Sequence, residues 1–248
     1  MTSTIKSEGE FKSRKGEIIL VAGKVTSLSM GIIHTFLNED ATVVAPVVSL
    51  RDRDAIKAYK NNKHYGNLVT MLTDIPDFDK ATDLCEAIVE KYGKIDIAVG
   101  LRNEVKCNKP LTEALLDEWD SMVDNGITSF FVHARVVLNV MKQLKTGLFV
   151  SVGDGVGKYK KPSALSKVEL TTIEEMSKIF AEEASKENIK YYHIKVSDFE
   201  NRDMLLGADV EAIYGEQMGT HILELYDKET YNKESVFEIF PVTEYQPN

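Results

Sequence analysis

The chain has 248 residues, of which 43% are hydrophobic and 28% charged, the composition of an ordinary folded globular protein. Its formal net charge of −9 at pH 7 argues against a nucleic-acid partner or an anionic membrane surface. No apolar run approaches the length that crosses a bilayer, and Cys85 and Cys107 form neither a disulfide framework nor a zinc-binding pattern. We therefore expect a cytoplasmic protein with no membrane partner and no metal site.

The first strongly patterned segment is residues 17–36. An apolar run at 18–21 meets a turn rich in glycine and serine at 23–31. Helically spaced apolar side chains follow this turn: Met30, Ile33 and Phe36. This order predicts a strand, a tight turn and a helix, which together form the first unit of a dinucleotide-binding βαβ fold.

Strands and helices are then predicted alternately to the end of the chain. Apolar runs predict six further strands, at 41–48, 67–72, 95–99, 148–152, 190–196 and 236–240. Helical periodicity predicts the helices between them, at 52–61, 77–92, 112–142, 162–185 and 212–226. Such alternation is typical of an α/β fold, a doubly wound parallel sheet with helices on both faces. We predict a flexible tail at 1–15 and a single domain at 16–248.

Five segments match the landmarks of a known family, in the same order and at nearly the same separations. They are KYGKIDIAV at 91–99, EWDSMVDNGITSFFVHARVVLNVMK at 118–142, GLFVSVGDG at 147–155, SALSK at 163–167 and ENIKYYHIKV at 187–196. On these motifs, residues 14–240 resemble the classical short-chain dehydrogenase/reductase family. The resemblance implies a Rossmann-like fold, NAD or NADP as cofactor, and oxidation or reduction of a small alcohol or carbonyl compound.

The resemblance also implies where a cofactor would bind. The family's phosphate-binding turn, Thr-Gly-x-x-x-Gly-x-Gly, aligns with AGKVTSLS, so Gly23 keeps the first glycine while Ser27 and Ser29 replace the other two. A serine side chain could block a pyrophosphate or donate to it, and a left-handed backbone there would cost about 1–2 kcal/mol. Asp74 matches the aspartate that contacts adenine in the family; capping the end of the third strand is the alternative role.

Two other cofactor positions depart from the family. The residue that chooses between a ribose hydroxyl and a 2′-phosphate falls near Val47, where Arg51 or Arg53 could compensate. The family's Asn-Asn-Ala-Gly after the fourth strand is Gly100, Leu101, Arg102 and Asn103 here, which puts a cation close to the expected adenosine half. These departures weaken the expectation that NAD or NADP binds.

The catalytic residues of the family carry over only in part. Lys167 matches the lysine that lowers the tyrosine pKa and holds the nicotinamide ribose, but the tyrosine position is Ser163, a poorer proton shuttle near neutral pH. The serine that polarises the carbonyl aligns with Asp154, whose carboxylate would repel an oxyanion. The asparagine position falls on Gly126. Tyr159 could be a displaced catalytic tyrosine or a surface aromatic.

Three hypotheses follow from this pattern. The protein could be a divergent NAD(P)-dependent oxidoreductase that keeps Lys167 and takes its acid from Tyr159 or Asp154. It could be a pseudoenzyme that binds a small molecule or serves as a partner subunit. It could also be a non-redox enzyme that uses Asp154, Ser163 and Lys167, since a serine–lysine pair can make a nucleophile. The simultaneous loss of the tyrosine, serine, asparagine and glycine positions favours the pseudoenzyme.

The family's habit of pairing through two long helices implies a homo-oligomer, a dimer or a tetramer. The corresponding segments here are residues 112–142 and 163–185. The alternative is that their apolar stripes simply face this chain's own sheet.

Overall fold

The computed structural model describes residues 13–59, 66–101, 109–154, 163–196, 208–228 and 235–239. Its strands are β1 (Ile18–Ala22), β2 (Thr42–Val47), β3 (Asn67–Leu72), β4 (Ile97–Leu101), β5 (Leu148–Asp154), β6 (Lys190–Val196) and β7 (Val236–Ile239). Its α-helices are α1 (Ser27–Asn38), α2 (Leu50–Tyr59), α3 (Phe78–Tyr92), α4 (Leu116–Met122), α5 (Ser129–Leu144), α6 (Ala164–Ser185) and α7 (Ala208–Asp227). The predicted alternation of strands and helices is confirmed.

The strands form one parallel sheet in the order β3-β2-β1-β4-β5-β6-β7. The chain builds outward from β1 to β3, then crosses to the other side of β1 and builds outward again from β4. In open α/β sheets, ligands bind outside the carboxyl ends of the strands at such a reversal. The topology therefore points to the ends of β1 and β4.

Alternate strand residues divide the core into two layers, because successive side chains point to opposite faces. Ile19, Val21 and Val150 belong to the layer that α1 and α7 cover. Leu20 and Phe149 belong to the layer beneath α3, α5 and α6. The predicted doubly wound sheet, with helices on both faces, is confirmed.

The predicted helix over 112–142 is divided into several segments. A single 3₁₀ turn (Leu111–Glu113) precedes α4, and a π-helical segment (Val123–Thr128) joins α4 to α5. Within that segment, a Cβ on Gly126 would lie 2.3 Å from Oε1 of Glu169 on α6. A π-helical segment is rare and is frequently found at a functional site.

Helices α1 and α7 approach each other closely because glycines line their contact. A Cβ on Gly215 would lie 2.3 Å from the carbonyl oxygen of Leu28 and 2.8 Å from Cα of Gly31. One helical turn later, a Cβ on Gly219 would lie 2.7 Å from Cβ of Thr35. Helix α7 therefore fixes the position of α1, which follows the turn after β1.

The predicted flexible tail includes one anchored residue. Residues 1–12 lie outside the described part, but Arg14 is 4% exposed and donates from Nη1 and Nη2 to the carboxylate of Asp227 at 2.8 and 2.6 Å. This bidentate pair holds the chain before β1 against the end of α7. Among the described helices, none is long and apolar enough to cross a membrane.

Candidate functional site

A cleft of about 610 Å³ opens along the carboxyl edge of the sheet, at the reversal of strand order. The ends of β1, β2, β4 and β5, the segment after β3 and the middle of β6 contribute residues to it. The π-helical segment, α5 and α6 supply the opposite wall. The cleft therefore occupies the place where the topology predicts a ligand.

The turn after β1 requires a glycine at position 23. Gly23 has φ +134°, and a Cβ there would lie 2.5 Å from the carbonyl oxygen and 2.7 Å from Cβ of Leu101 at the end of β4. A side chain at this position would be strained by the backbone and would collide with β4. Gly23 and Lys24 both line the cleft. The first glycine of the predicted phosphate-binding turn is thus in place.

The two serines of that turn serve the start of α1. Ser27 is the first residue of the helix, after the N-cap Thr26. The backbone N–H of Ser29 donates to Oγ1 of Thr26 at 3.2 Å, and the N–H of Thr26 donates back to Oγ of Ser29 at 2.8 Å, forming a capping box. Neither serine is among the described residues that line the cleft. The Ser29 hydroxyl is committed to the helix cap.

Carboxylates mark the end of the cleft near β2 and β3. Asp74 is exposed and lines the cleft after β3, while α3 is capped by a different residue, Asp77. Asp52 lines it from the first turn of α2, where its carboxylate accepts a hydrogen bond from Oγ of Ser49 at 2.7 Å. Arg51 and Arg53, the arginines that could compensate for Val47, are absent from the described lining. This end of the cleft is acidic.

Ser163 has a structural partner at the start of α6. It is the N-cap residue: its Oγ accepts from the N–H of Ser166 at 3.1 Å and donates to Oγ of Ser166 at 2.9 Å. Lys167, one turn into the helix, is exposed. Neither residue is in the described lining of the cleft.

The remaining catalytic candidates, Asp154 and Tyr159, contribute no described side chain. Asp154 ends β5, but its side chain lies outside the described part, as do Tyr159, Arg102 and Asn103 altogether. Of the predicted site residues, the structure brings Gly23 and Asp74 to one cleft. It leaves Ser27, Ser29, Ser163 and Lys167 off the described lining.

Two glycines that line the cleft stand where the resemblance implies asparagines, and a buried titratable side chain covers each of them. A Cβ on Gly100 would lie 2.8 Å from Nδ1 of His133 on α5. Over Gly126, Glu169 from α6 is fully buried, with Oε1 2.3 Å from the Cβ position. The imidazole and the carboxyl group therefore occupy space that an asparagine side chain would need.

Sequence patterns contained a weak signal for these two residues. Position 169 lies midway between the buried residues Leu165 and Ile173 on one stripe of α6. His133 likewise lies on the buried stripe of α5, between Val132 and Ala134. A polar residue on an apolar stripe indicates a buried polar contact, but it does not indicate which glycine the side chain covers.

A buried hydrogen bond lies beside His133 on the floor of the cleft. Oγ of Ser151 on β5 and Nδ1 of His193 on β6 are 2.7 Å apart, and each residue is 2% exposed. Both residues line the cleft.

Acid should destabilise the fold through His133. Burial lowers the pKa of its imidazole from 6.5 to about 4, so the folded chain binds this proton less tightly than the unfolded chain does. Its contribution to stability is full above pH 6.5 and is lost as pH falls toward 4. At 1.36 kcal/mol per pKa unit, the loss between pH 7 and pH 4.5 is about 2–3 kcal/mol. Urea unfolding at both pH values measures it.

The His133→Phe variant is the control for this prediction. It keeps a ring packed against Phe149, whose centroid lies 5.3 Å from that of the imidazole, but it cannot titrate. Between pH 7 and pH 4.5, this variant should lose about 2–3 kcal/mol less unfolding free energy than the wild type does. An equal loss in both proteins would show that His133 does not govern the acid response.

Sequence comparison links the chain to known enzymes. A family profile described as short chain dehydrogenase matches residues 17–203. The chain is 26% identical over 186 residues to 3-oxoacyl-(acyl-carrier-protein) reductase FabG of Thermotoga maritima, covering 71% of each protein. It is 30% identical over 152 residues to the 3beta-hydroxysteroid dehydrogenase of Mediterraneibacter gnavus, covering 61% of this chain and 54% of that protein. The chain thus matches about half the length of the second relative.

Solved structures share the architecture at low sequence identity. Levodione reductase superposes with a TM-score of 0.76 at 14% identity, covering 91% of this chain and 96% of the other. ElxO with NADP bound gives 0.75 at 16% identity, with coverage of 90% and 97%. NAD⁺-bound xylitol dehydrogenase gives 0.75 at 13% identity, with coverage of 92% and 98%. At these identities the likeness shows the fold alone.

Proposed function

Because the chain belongs to the short-chain dehydrogenase family, we propose that its cleft binds an NAD-type dinucleotide, and that it lacks the tyrosine–lysine route of hydride transfer. The observation that carries this proposal is the contrast between Gly23, which lines the cleft, and Ser163, which caps α6 away from its described lining. The binding turn is retained in part, while the acid that completes the chemistry is replaced.

The fit of a dinucleotide rests on the turn after β1. At Gly23 the backbone passes against Leu101 with no room for a side chain, and backbone at such a turn can approach a diphosphate closely. The turn leads into the amino end of α1, where helix N–H groups and the helix dipole favour negative charge. Lys24, the one cation of the described lining, lies beside Gly23 and would attract the diphosphate.

The proposed loss of chemistry rests on Ser163 and Lys167. A bound nicotinamide supplies the hydride, but a protein group must supply or remove a proton at the substrate oxygen. The Ser163 hydroxyl is engaged with Ser166, and an aliphatic hydroxyl exchanges protons poorly near neutral pH. Lys167 is exposed, and the described lining does not include it.

The acidic end of the cleft supports NAD over NADP. Asp52 and Asp74 line it near β2 and β3, where the adenosine half of a dinucleotide lies in this fold. An additional 2′-phosphate would face these carboxylates with no arginine in the described lining to balance it.

Calorimetry of the purified, nucleotide-free protein with NAD⁺, NADH, NADP⁺ and NADPH tests the proposal. We expect micromolar binding of an NAD form and about tenfold or more weaker binding of the NADP forms, since one unfavourable charge contact is worth about 1–2 kcal/mol. The Asp52→Asn variant should reduce this difference in affinity between the NAD and NADP forms. Asp79→Asn, which removes the same charge on α3 away from the described lining, should leave it unchanged. Absence of binding at millimolar nucleotide would overturn the proposal that the cleft binds a dinucleotide.

The alternative is a divergent NAD(P)-dependent oxidoreductase, which the activities named for the two curated relatives favour. In that case Lys167 would act with Tyr159 or Asp154 as the proton donor. A carbonyl-reductase screen with both cofactors separates the two proposals. Turnover that Lys167→Ala abolishes would establish the oxidoreductase, and Tyr159→Phe would then test the donor.

We also propose that the chain forms a homo-oligomer. Large apolar side chains of the family's pairing helices are exposed: Leu115, Leu116, Trp119, Phe131 and Ile179. An oligomer interface would remove this apolar surface from water. Light scattering during size-exclusion chromatography tests it, and a monomer at micromolar concentration would refute it.

A further inference from the structure

Three polar side chains form a row across the floor of the cleft. Gly100, Ser151 and His193 are aligned partners on β4, β5 and β6, so their side-chain positions share one face of the sheet at spacings of about 4.8 Å. His133 from α5 occupies the place of the side chain that Gly100 lacks. His133, Ser151 and His193, hereafter the polar floor, all line the cleft.

His133 presents a hydrogen-bond donor to the cleft. Its Nε2 is buried and, within the described part of the chain, has no hydrogen-bond partner. A neutral imidazole carries one N–H, and a buried N–H without an acceptor is rare. The proton therefore belongs on Nδ1, the nitrogen that lies over Gly100. Burial, which lowers the pKa of this imidazole, keeps the ring neutral at pH 7.

Ser151 presents an acceptor beside that donor. Its Oγ is hydrogen-bonded to Nδ1 of His193 across 2.7 Å. A hydroxyl oxygen has two lone pairs, so at least one remains whether the serine donates to the histidine or accepts from it. The floor therefore offers a donor and an acceptor on neighbouring strands, whichever tautomer His193 adopts.

We propose that the polar floor binds the uncharged amide group of a small molecule. The amide oxygen accepts from Nδ1 of His133, and the amide N–H donates to Oγ of Ser151. The apolar side chains of Phe130 on α5 and of Leu170 and Ile173 on α6 also line the cleft and suit an aromatic or aliphatic body. The polar floor belongs to the same cleft as the proposed dinucleotide, whose diphosphate and adenosine half we place at the β1–β3 end.

The charge distribution favours a neutral ligand over a carboxylate. The charged residues of the described lining, Lys24, Asp52 and Asp74, all belong to the β1–β3 end of the cleft. The buried carboxyl group of Glu169 lies against Gly126, on the same side as the polar floor. An anion there would lose its hydration and meet no cation among the described residues.

Matched probes test the site on the full chain without nucleotide. Benzamide offers a donor and an acceptor, acetophenone offers only an acceptor, and benzoate is charged. We expect benzamide to bind with a Kd of about 10 mM or tighter, and about three- to tenfold tighter than acetophenone, because it makes one more hydrogen bond. Benzoate should bind more weakly than either. Nuclear magnetic resonance of ¹⁵N-labelled histidine rings measures these affinities and locates the contact.

Two variants and one control connect binding to the polar floor. His133→Phe and Ser151→Ala should each reduce benzamide affinity to that of acetophenone, while His34→Phe on α1, outside the described lining, should not change it. Equal affinities for the three probes, or unchanged benzamide binding in both variants, would overturn the proposal. The wild-type spectra test it independently of any variant, since a proton on Nε2 of His133 would contradict it. Dinucleotide binding is measured separately by calorimetry, so failure of the amide site can be distinguished from failure of the proposed function.

Discussion

Gly215→Ala should lower the free energy of unfolding by about 3 kcal/mol, although alanine normally favours a helix by about 1 kcal/mol. The new Cβ would lie 2.3 Å from the carbonyl oxygen of Leu28 and 2.8 Å from Cα of Gly31. Both are backbone atoms, which cannot rotate away as a side chain can, so α1 and α7 must separate along their contact. Urea unfolding of the variant and the wild type measures the change.

The control for Gly215→Ala lies on the exposed face of the same helix. Thr220→Ala also introduces alanine into α7, but position 220 is exposed. It should keep wild-type stability within about 0.5 kcal/mol. If Gly215→Ala were as stable as this control, the close approach of the two helices would be wrong.

Gly126→Asn, which introduces the family's residue, should also cost about 3 kcal/mol of unfolding free energy. Its Cβ would lie 2.3 Å from Oε1 and 2.7 Å from Cδ of Glu169, a side chain with no exposed surface into which to move. Adding Glu169→Ala should relieve this penalty. We expect a coupling free energy of about 2 kcal/mol between the two sites in a double-mutant cycle measured by urea unfolding.

The cycle separates the steric contact from other effects of Glu169. The Glu169→Ala single variant reports the cost of removing the buried carboxyl group, and the cycle subtracts it. Additive effects of the two substitutions would refute the conclusion that Glu169 occupies the space an asparagine side chain at position 126 would need.

The alternating order of the fold could be predicted because each element carries its own local pattern. Apolar runs and helical periodicity require only neighbouring residues, and a parallel sheet follows from their alternation. The glycine at position 23 was assigned differently, by aligning the turn between two well-marked elements with the family's phosphate-binding turn. Local pattern was sufficient for the order of the elements.

The floor of the cleft could not be predicted, because it depends on contacts between distant segments. His133 lies over Gly100 and Glu169 lies over Gly126. The two residues of each pair are far apart along the chain, so helical or strand periodicity does not predict the contact. The lack of periodicity over residues 1–15 predicts a flexible tail that includes Arg14, whereas its partner Asp227 lies 213 residues further along the chain. Ser163 illustrates the limit of alignment: it stands at the family's tyrosine position but caps a helix.

The contact between the first helix and the last constrains how a newly made chain can fold. Thr35 on α1 donates to the carbonyl oxygen of Glu216, 181 residues later, and Gly31 packs against Gly215. During synthesis, the first strand and helix therefore leave the ribosome long before the surface that buries them exists. Until α7 emerges, this face of α1 stays open to water and to other chains, so the closing step of folding must await the synthesis of α7.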